Sequence, residues 1–243
     1  MSNGIPKYKG PRMTTSANDM GRYDQTVLDA FSKLPNSAVC DAMYALGFPE
    51  AVMSAGIGQI SGAPFIGWAR TVDRSSGARN ARQEKLSPEL LLGTQMVIDT
   101  LRKNEVLVVA VGEDVSGAVM GSNMAARAAF RGAAGLVTDG AIRDLEALRE
   151  MGMAVVAKGT SPRVNFGHIV TRSIDLPSIC GGVLICPGDL IKSDGDGVVV
   201  IPRDGAEAIL EKAIAIENTE EAMLAAIKGG QPLVDAIRQF KQR

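Results

Sequence analysis

The sequence predicts an α/β fold with a mixed sheet flanked by helices. Two observations carry this. Helical and strand-like segments interleave through the middle of the chain, and short strand-like segments then cluster up to residue 201. A third bears on the core: aromatics make up only 4% of the chain against 27 glycines, so the interior must be close-packed Val, Ile, Leu, Ala and Met. At 243 residues there is room for one large domain or two small ones.

Several classes of function are disfavoured at once. A net charge of −1 offers no basic footprint for nucleic acid. No apolar run reaches the roughly 18 residues of a membrane span. The first 24 residues lack the apolar centre of a secretory signal, so a cytoplasmic location is expected. The three cysteines have no CxxC spacing, and Cys40 and Cys186, in apolar surroundings, read as buried reduced thiols.

Residues 1–24 read as an extended arm that contacts a neighbouring subunit, 25–230 as the main domain and 231–243 as a C-terminal tail. Residues 23–34 have helical spacing, and Ser37 is expected to cap a second helix that ends at Gly47. A strand is expected near 57–60, and residues 65–72 alternate as a strand does. A polar loop, 75–85, precedes a helix over 88–101 and a continuous apolar strand over 106–111. Residues 112–121 read as a loop, and 122–130 as an Ala-rich helix with Ser122 or Asn123 as N-cap.

The apolar run 133–137 reads as a buried strand that stops at Asp139-Gly140, with a helix following to Gly152. Strands are expected over 153–157, 168–173 and 183–186, with a loop over 160–165. A hairpin over 190–201 carries Asp194-Gly195-Asp196-Gly197 at its tip, where aspartates serve turn geometry. Residues 206–228 form a long amphipathic helix stopped by Gly229-Gly230, and 232–240 a last short helix.

Chemistry concentrates at two places. Arg143 and Asp144 follow the strand that ends at Asp139-Gly140. An Arg there can grip a carboxylate through two parallel hydrogen bonds, and an Asp can hold a divalent cation. The other place is the helix start Gly121-Ser122-Asn123-Met124, whose unpaired amides and positive dipole end attract anions. If the sheet forms as expected the two meet, and a cation beside an anion cradle is equipped to stabilise an enolate. By spacing alone, most Arg-Asp pairs are solvated surface charges. His168 and Asp139 read as structural, Asp41 as part of a local polar network, and Arg70 and Arg74 as substrate or interface residues.

The segment G-S-N-M-A-A-R-A-A-F-R-G-A-A-G-L-V-T-D-G-A-I-R-D, residues 121–144, resembles the core motif of one family. It contains regulator of ribonuclease activity A and the 4-hydroxy-4-methyl-2-oxoglutarate and 4-carboxy-4-hydroxy-2-oxoadipate aldolases. The resemblance continues through M-A-V-V-A-K-G-T-S-P-R and P-G-D-L-I-K-S-D-G-D-G-V-V-V-I-P, over roughly residues 30 to 230. It implies a swivelling-type β/β/α sandwich and a class II, metal-dependent pyruvate aldolase. In that pattern Arg143 binds the pyruvyl carboxylate and enolate oxygen, Asp144 is the metal ligand, and Gly121, Ser122, Asn123 and Met124 offer amides to the substrate.

A Glu on a neighbouring subunit's C-terminal helix orders metal-bound waters in this family; Glu220 matches best, with Glu217 and Glu221 close by. The implied metal is Mg²⁺, or Mn²⁺ or Co²⁺, and the implied assembly a homotrimer or hexamer. The implied substrate is a small 2-oxo acid, cleaved by retro-aldol reaction or, for oxaloacetate, decarboxylated, with loops 73–86 and 160–167 reading its tail. No nucleic-acid or membrane partner is implied. Some relatives carry a methyltransferase label, but no methyl-donor motif is present. One position departs from the pattern: the acidic residue expected 21 positions before Arg143 is Ser122. That departure keeps a second reading in view, a non-catalytic regulator that binds a protein partner.

Overall fold

The structure, a computed structural model, describes residues 24–49, 51–76, 88–165 and 169–240. Residues 1–23 of the expected arm 1–24, most of the 75–85 loop and His168 lie outside the described residues, and Asp24 caps a helix instead.

Asp24 opens helix α1 (Gln25–Phe31), its carboxylate accepting from the Thr26 amide at 2.9 Å. Helix α2 (Asn36–Ala45) starts behind Pro35, one residue before the expected cap Ser37. Its first amide instead donates to the Asp194 carboxylate at 2.8 Å, and the Asn36 side-chain amide to Gly197 O at 3.0 Å. The hairpin tip therefore supplies the negative charge that a helix N-terminus favours. Asp194 also accepts from the Asp196 amide at 2.9 Å, so it serves the turn as its sequence predicts.

The strands and helices that follow are β1 (Gly58–Ser61), β2 (Phe65–Ser76), α3 (Pro88–Thr100), β3 (Glu105–Ala110), β4 (Ala118–Met120), α4 (Ser122–Phe130), β5 (Gly135–Thr138), β6 (Ala141–Ile142) and α5 (Leu145–Met151). Then come β7 (Val155–Ala157), β8 (Gly159–Thr160), β9 (Ile169–Ile174), the hairpin β10 (Ser178–Cys180) and β11 (Val183–Ile185), the hairpin β12 (Leu190–Asp194) and β13 (Gly197–Ile201), and helices α6 (Ala206–Lys228) and α7 (Leu233–Phe240). α7 packs on α6 with Ala236 fully buried.

The main sheet has eight strands in the order β1-β7-β5-β3-β2-β12-β13, with β9 also paired to β2. β2, β3, β5 and β7 are parallel, and the outer strands antiparallel. The expected mixed sheet is thus present. β3 is buried along its whole length, as a central parallel strand between two helical layers must be. Its side chains alternate between two cores. Val106, Val108 and Ala110 face the layer of α1, α2 and α6, whereas Leu107, Val109 and Val111 face α3, α4 and α5. The scarcity of aromatics matches tight contacts such as that at Gly135, where a methyl would sit 2.6 Å from the Phe65 ring.

A second, three-stranded parallel sheet, β4-β6-β8, lies beyond the carboxyl ends of β3, β5 and β7. These strands fall inside stretches expected to be loops or turns. They have two or three residues each, too few for a periodicity to register. Their place in the fold matters, because β4 delivers Gly121 and β6 delivers Arg143. None of the three cysteines is in a disulfide; Cys180 is buried, while Cys40 and Cys186, expected to be buried, are half-buried.

Candidate functional site

Residue 121 closes β4 and serves as the N-cap of α4. Ser122 is the first helical residue rather than the cap that the sequence led us to expect. The cap arrives from elsewhere: Asp144 Oδ2 accepts from the Ser122 amide at 3.0 Å and from the Ser122 hydroxyl at 2.9 Å. A carboxylate at this helix end meets unpaired amides and the positive end of the dipole.

Geometry explains why the two segments meet. Arg143 N–H donates to Met120 O at 3.0 Å, and Ser161 N–H to Ile142 O at 2.9 Å, so the small sheet fixes Arg143 beside the start of α4. Asp144 then turns back in the left-handed region, at φ 63° and ψ 41°, before α5 begins. Asp is among the few residues that tolerate this conformation. Its carboxylate closes on Gly121, where a Cβ would lie 2.8 Å from Asp144 Oδ2 and 3.1 Å from Arg143 Nε. Only glycine permits that approach.

Arg143 Nε is 3.8 Å from Asp144 Oδ2, and the two side chains are 42% and 39% exposed, open to a ligand. The Ser122 amide, then its hydroxyl, then Arg143 hold the Asp144 carboxyl below the usual carboxylate range, against a small opposing effect of burial. Asp144 is therefore ionised at neutral pH. One of its oxygens is fastened to Ser122, and Oδ1 has no hydrogen-bond partner among the described residues.

The structure thus gathers Gly121, Ser122, Arg143 and Asp144, with Asn123 and Met124 on the first turn of α4. Ser122 departs from its expected role, because its amide is already spent on Asp144. The Asn123 and Met124 amides find no acceptor among the described residues and remain to face an anion. The function of Ser122 as the holder of Asp144 had one signal in the sequence, a short donor beside glycine at a helix start; its partner 22 residues away had none.

Glu220 does not join this group within one chain. It lies on α6, on the opposite face of the sheet, and lines a cavity of about 520 Å³ with Asp41, Tyr44, Lys212, Thr219 and Phe240. Arg70 is not at a substrate surface either. It is buried and forked onto Asp175 at 2.7 and 2.8 Å, with Glu105 at 3.2 Å.

No group of three or more His, Cys, Asp or Glu gathers as a metal cage among the described residues. A single ionised carboxylate with one open oxygen and solvent access fits a hard divalent cation held mainly by water and substrate oxygens, the mode that Mg²⁺ prefers. Asp144 is the residue that would hold it.

Residues 36–200 match the family model described as RraA-like, Aldolase/RraA. The chain is 36% identical over 182 residues to a protein of Halalkalibacterium halodurans provisionally named 4-hydroxy-4-methyl-2-oxoglutarate aldolase, covering 73% of this chain and 77% of that one. Its fold superposes on an uncharacterized protein from Pseudomonas syringae pv. tomato with a TM-score of 0.78, at 26% identity, over 90% of this chain and 95% of the other. It superposes with a TM-score of 0.75 on Streptomyces coelicolor RraAS2, described as an unusual member of the RNase ES inhibitor RraA protein family. The identity there is 28%, over 84% of this chain and 100% of the other.

Proposed function

The chain belongs to the RraA-like, Aldolase/RraA family, and within it we propose a divalent-metal-dependent lyase acting on a pyruvate-like 2-oxo acid. Its reaction is retro-aldol cleavage of a 4-hydroxy-4-methyl-2-oxoglutarate-type substrate, decarboxylation of oxaloacetate, or both. One observation carries the reading: Arg143 and an ionised Asp144 with an open oxygen stand together at the N-terminus of α4.

Arg143 grips the substrate carboxylate. The Asn123 and Met124 amides receive the negative charge that grows on oxygen as the C–C bond breaks. Ser122 keeps Asp144 ionised and oriented. Mg²⁺, Mn²⁺ or Co²⁺ at Asp144 would supply a Lewis acid for the 2-oxo group. The electron pair of the broken bond passes into an enolate in both reactions. Retro-aldol cleavage gives the 4-hydroxyl proton to solvent and releases the carbonyl fragment, decarboxylation releases CO₂, and a proton from solvent onto carbon yields pyruvate in each case. Glu220 of a neighbouring subunit completes the site in a cytoplasmic homotrimer or hexamer.

The test is pyruvate release from 4-hydroxy-4-methyl-2-oxoglutarate and from oxaloacetate, with Mg²⁺ and then with EDTA. Turnover that EDTA abolishes is expected. Absence of metal-dependent turnover of both substrates overturns the reading.

Ser122 in the acidic position favours one second reading, a regulator that binds a protein partner. Capture of ribonuclease or helicase components by a chain without turnover, unaffected by Asp144→Ala, would carry that reading instead.

A further inference from the structure

Arg74 is 7% exposed, and its Nε–H has no acceptor among the described residues. One Nη donates to Ile169 O at 3.0 Å. No carboxylate among the described residues lies within ion-pair distance of it, and burial alone pushes its pKa down. Burying a cation away from any counter-charge is unfavourable, so such a site attracts an anion. Four residues earlier on the same strand, Arg70 is matched by two carboxylates.

The surroundings are polar and also unanswered. Arg74 pairs with Thr171 across β2 and β9, where the register slips after Asp73. Cβ atoms of such partners stand about 5 Å apart. Among the described residues Thr171 Oγ1 is buried without a partner, and so is Oγ1 of Thr94, which is 0% exposed. Helix α3 presses on this point: a methyl at Gly93, next to Thr94, would sit 2.6 Å from Thr171 Oγ1. A guanidinium N–H and the hydroxyl of its cross-strand partner, with a second hydroxyl on the helix packed against them, are donors of the kind that an oxyanion takes.

We propose that Arg74, Thr94 and Thr171 form a receptor for the carboxylate of a small organic acid. It lies at the carboxyl end of β2, on the face that also carries the Arg143 site. Val72, Ile169, Met120 and Ile142 belong to one apolar cluster, and the last two immediately precede Gly121 and Arg143. The carboxylate has two sources. It is the far carboxylate of a 2-oxo diacid, which rests on the lyase reading, or that of a free acid bound separately.

The experiment is thermal melting of the full chain with malonate, for wild type, Arg74→Met, Thr171→Val and Arg143→Gln. Malonate raises the wild-type midpoint. Arg74→Met melts no lower than wild type without malonate and binds it at least about thirtyfold more weakly. Thr171→Val keeps shape and charge, removes a hydroxyl that has no partner, and weakens malonate binding severalfold at an unchanged midpoint.

A response that persists in Arg143→Gln identifies a separately bound acid; one lost there as well identifies a ligand that spans both sites. No malonate response in wild type overturns the proposal, as does an Arg74→Met chain that loses stability but keeps the response. Should Arg74→Met not fold, an undiminished response in Thr171→Val overturns it. Malonate binding that depends on Arg74, without pyruvate release under any condition, would sink the lyase reading and leave the receptor standing.

Discussion

Asp139 and Asp144 sit on one stretch of chain in opposite circumstances. Asp139 is 2% exposed and spends both oxygens on backbone: Val111 N at 2.7 Å, Glu113 N at 3.2 Å and Gly181 N at 3.3 Å. It ties the turn after β3 to the β10–β11 hairpin. Asp144 is half-exposed, has one oxygen fastened by Ser122 and holds the other toward solvent. A carboxylate whose acceptors are all consumed is structure. One that is oriented but incompletely consumed can take a ligand.

Substitutions that separate these two roles test the contrast, and the largest effect is expected at the open carboxylate. Asp144→Ala should lower metal-dependent pyruvate release by about 10³-fold or more, with the fold intact by circular dichroism. Retained turnover would show that the ligand binds elsewhere. Asp139→Ala should instead cost about 3 kcal/mol of stability in urea titration, because three amides lose their acceptor. A loss below about 1 kcal/mol would mean that water replaces the carboxylate without penalty.

Arg143→Lys should lower kcat/KM by about 10²-fold, since a point charge cannot offer two parallel hydrogen bonds. Its cation affinity should stay within a factor of a few; a large loss there would place Arg143 in the metal site.

The smallest effect is expected from Ser122→Ala, read in the pH profile. Asp144 has a depressed folded pKa, so its ionised form and the stability it lends are present above the ordinary carboxylate range. Both are lost only as pH falls through the depressed value. Removing the hydroxyl takes away the second cause and leaves the amide, the first, in place. The acid limb of kcat/KM should therefore move modestly to higher pH. A limb that does not move would exclude the hydroxyl from control of Asp144.

Much of this arrangement was legible in the chain. β3, α4 and α6 follow from apolar runs, periodicity and glycine stops within two residues of where they stand. The Gly121 and Arg143 segments meet as expected, but through β4 and β6, two short strands in stretches that read as loop and turn. What escaped depends on distant partners. Arg70 read as a substrate or interface residue, yet it is buried on counter-charges 35 and 105 residues away. Ser122 looked like a cap with a free amide, yet Asp144 claims it through a left-handed turn that no local propensity announces. The burial of Arg74 without a counter-charge among the described residues is visible only once β2, β9 and α3 are packed together.

The claim that Asp144 is a cation ligand rather than a surface cap is tested most directly by Mn²⁺ binding, followed by electron paramagnetic resonance with no substrate present. Wild type should bind Mn²⁺, with Asp144→Ala weakening it by about 10-fold or more and Asp139→Asn, where folded, leaving it unchanged. Equal affinity in wild type and Asp144→Ala would contradict the account.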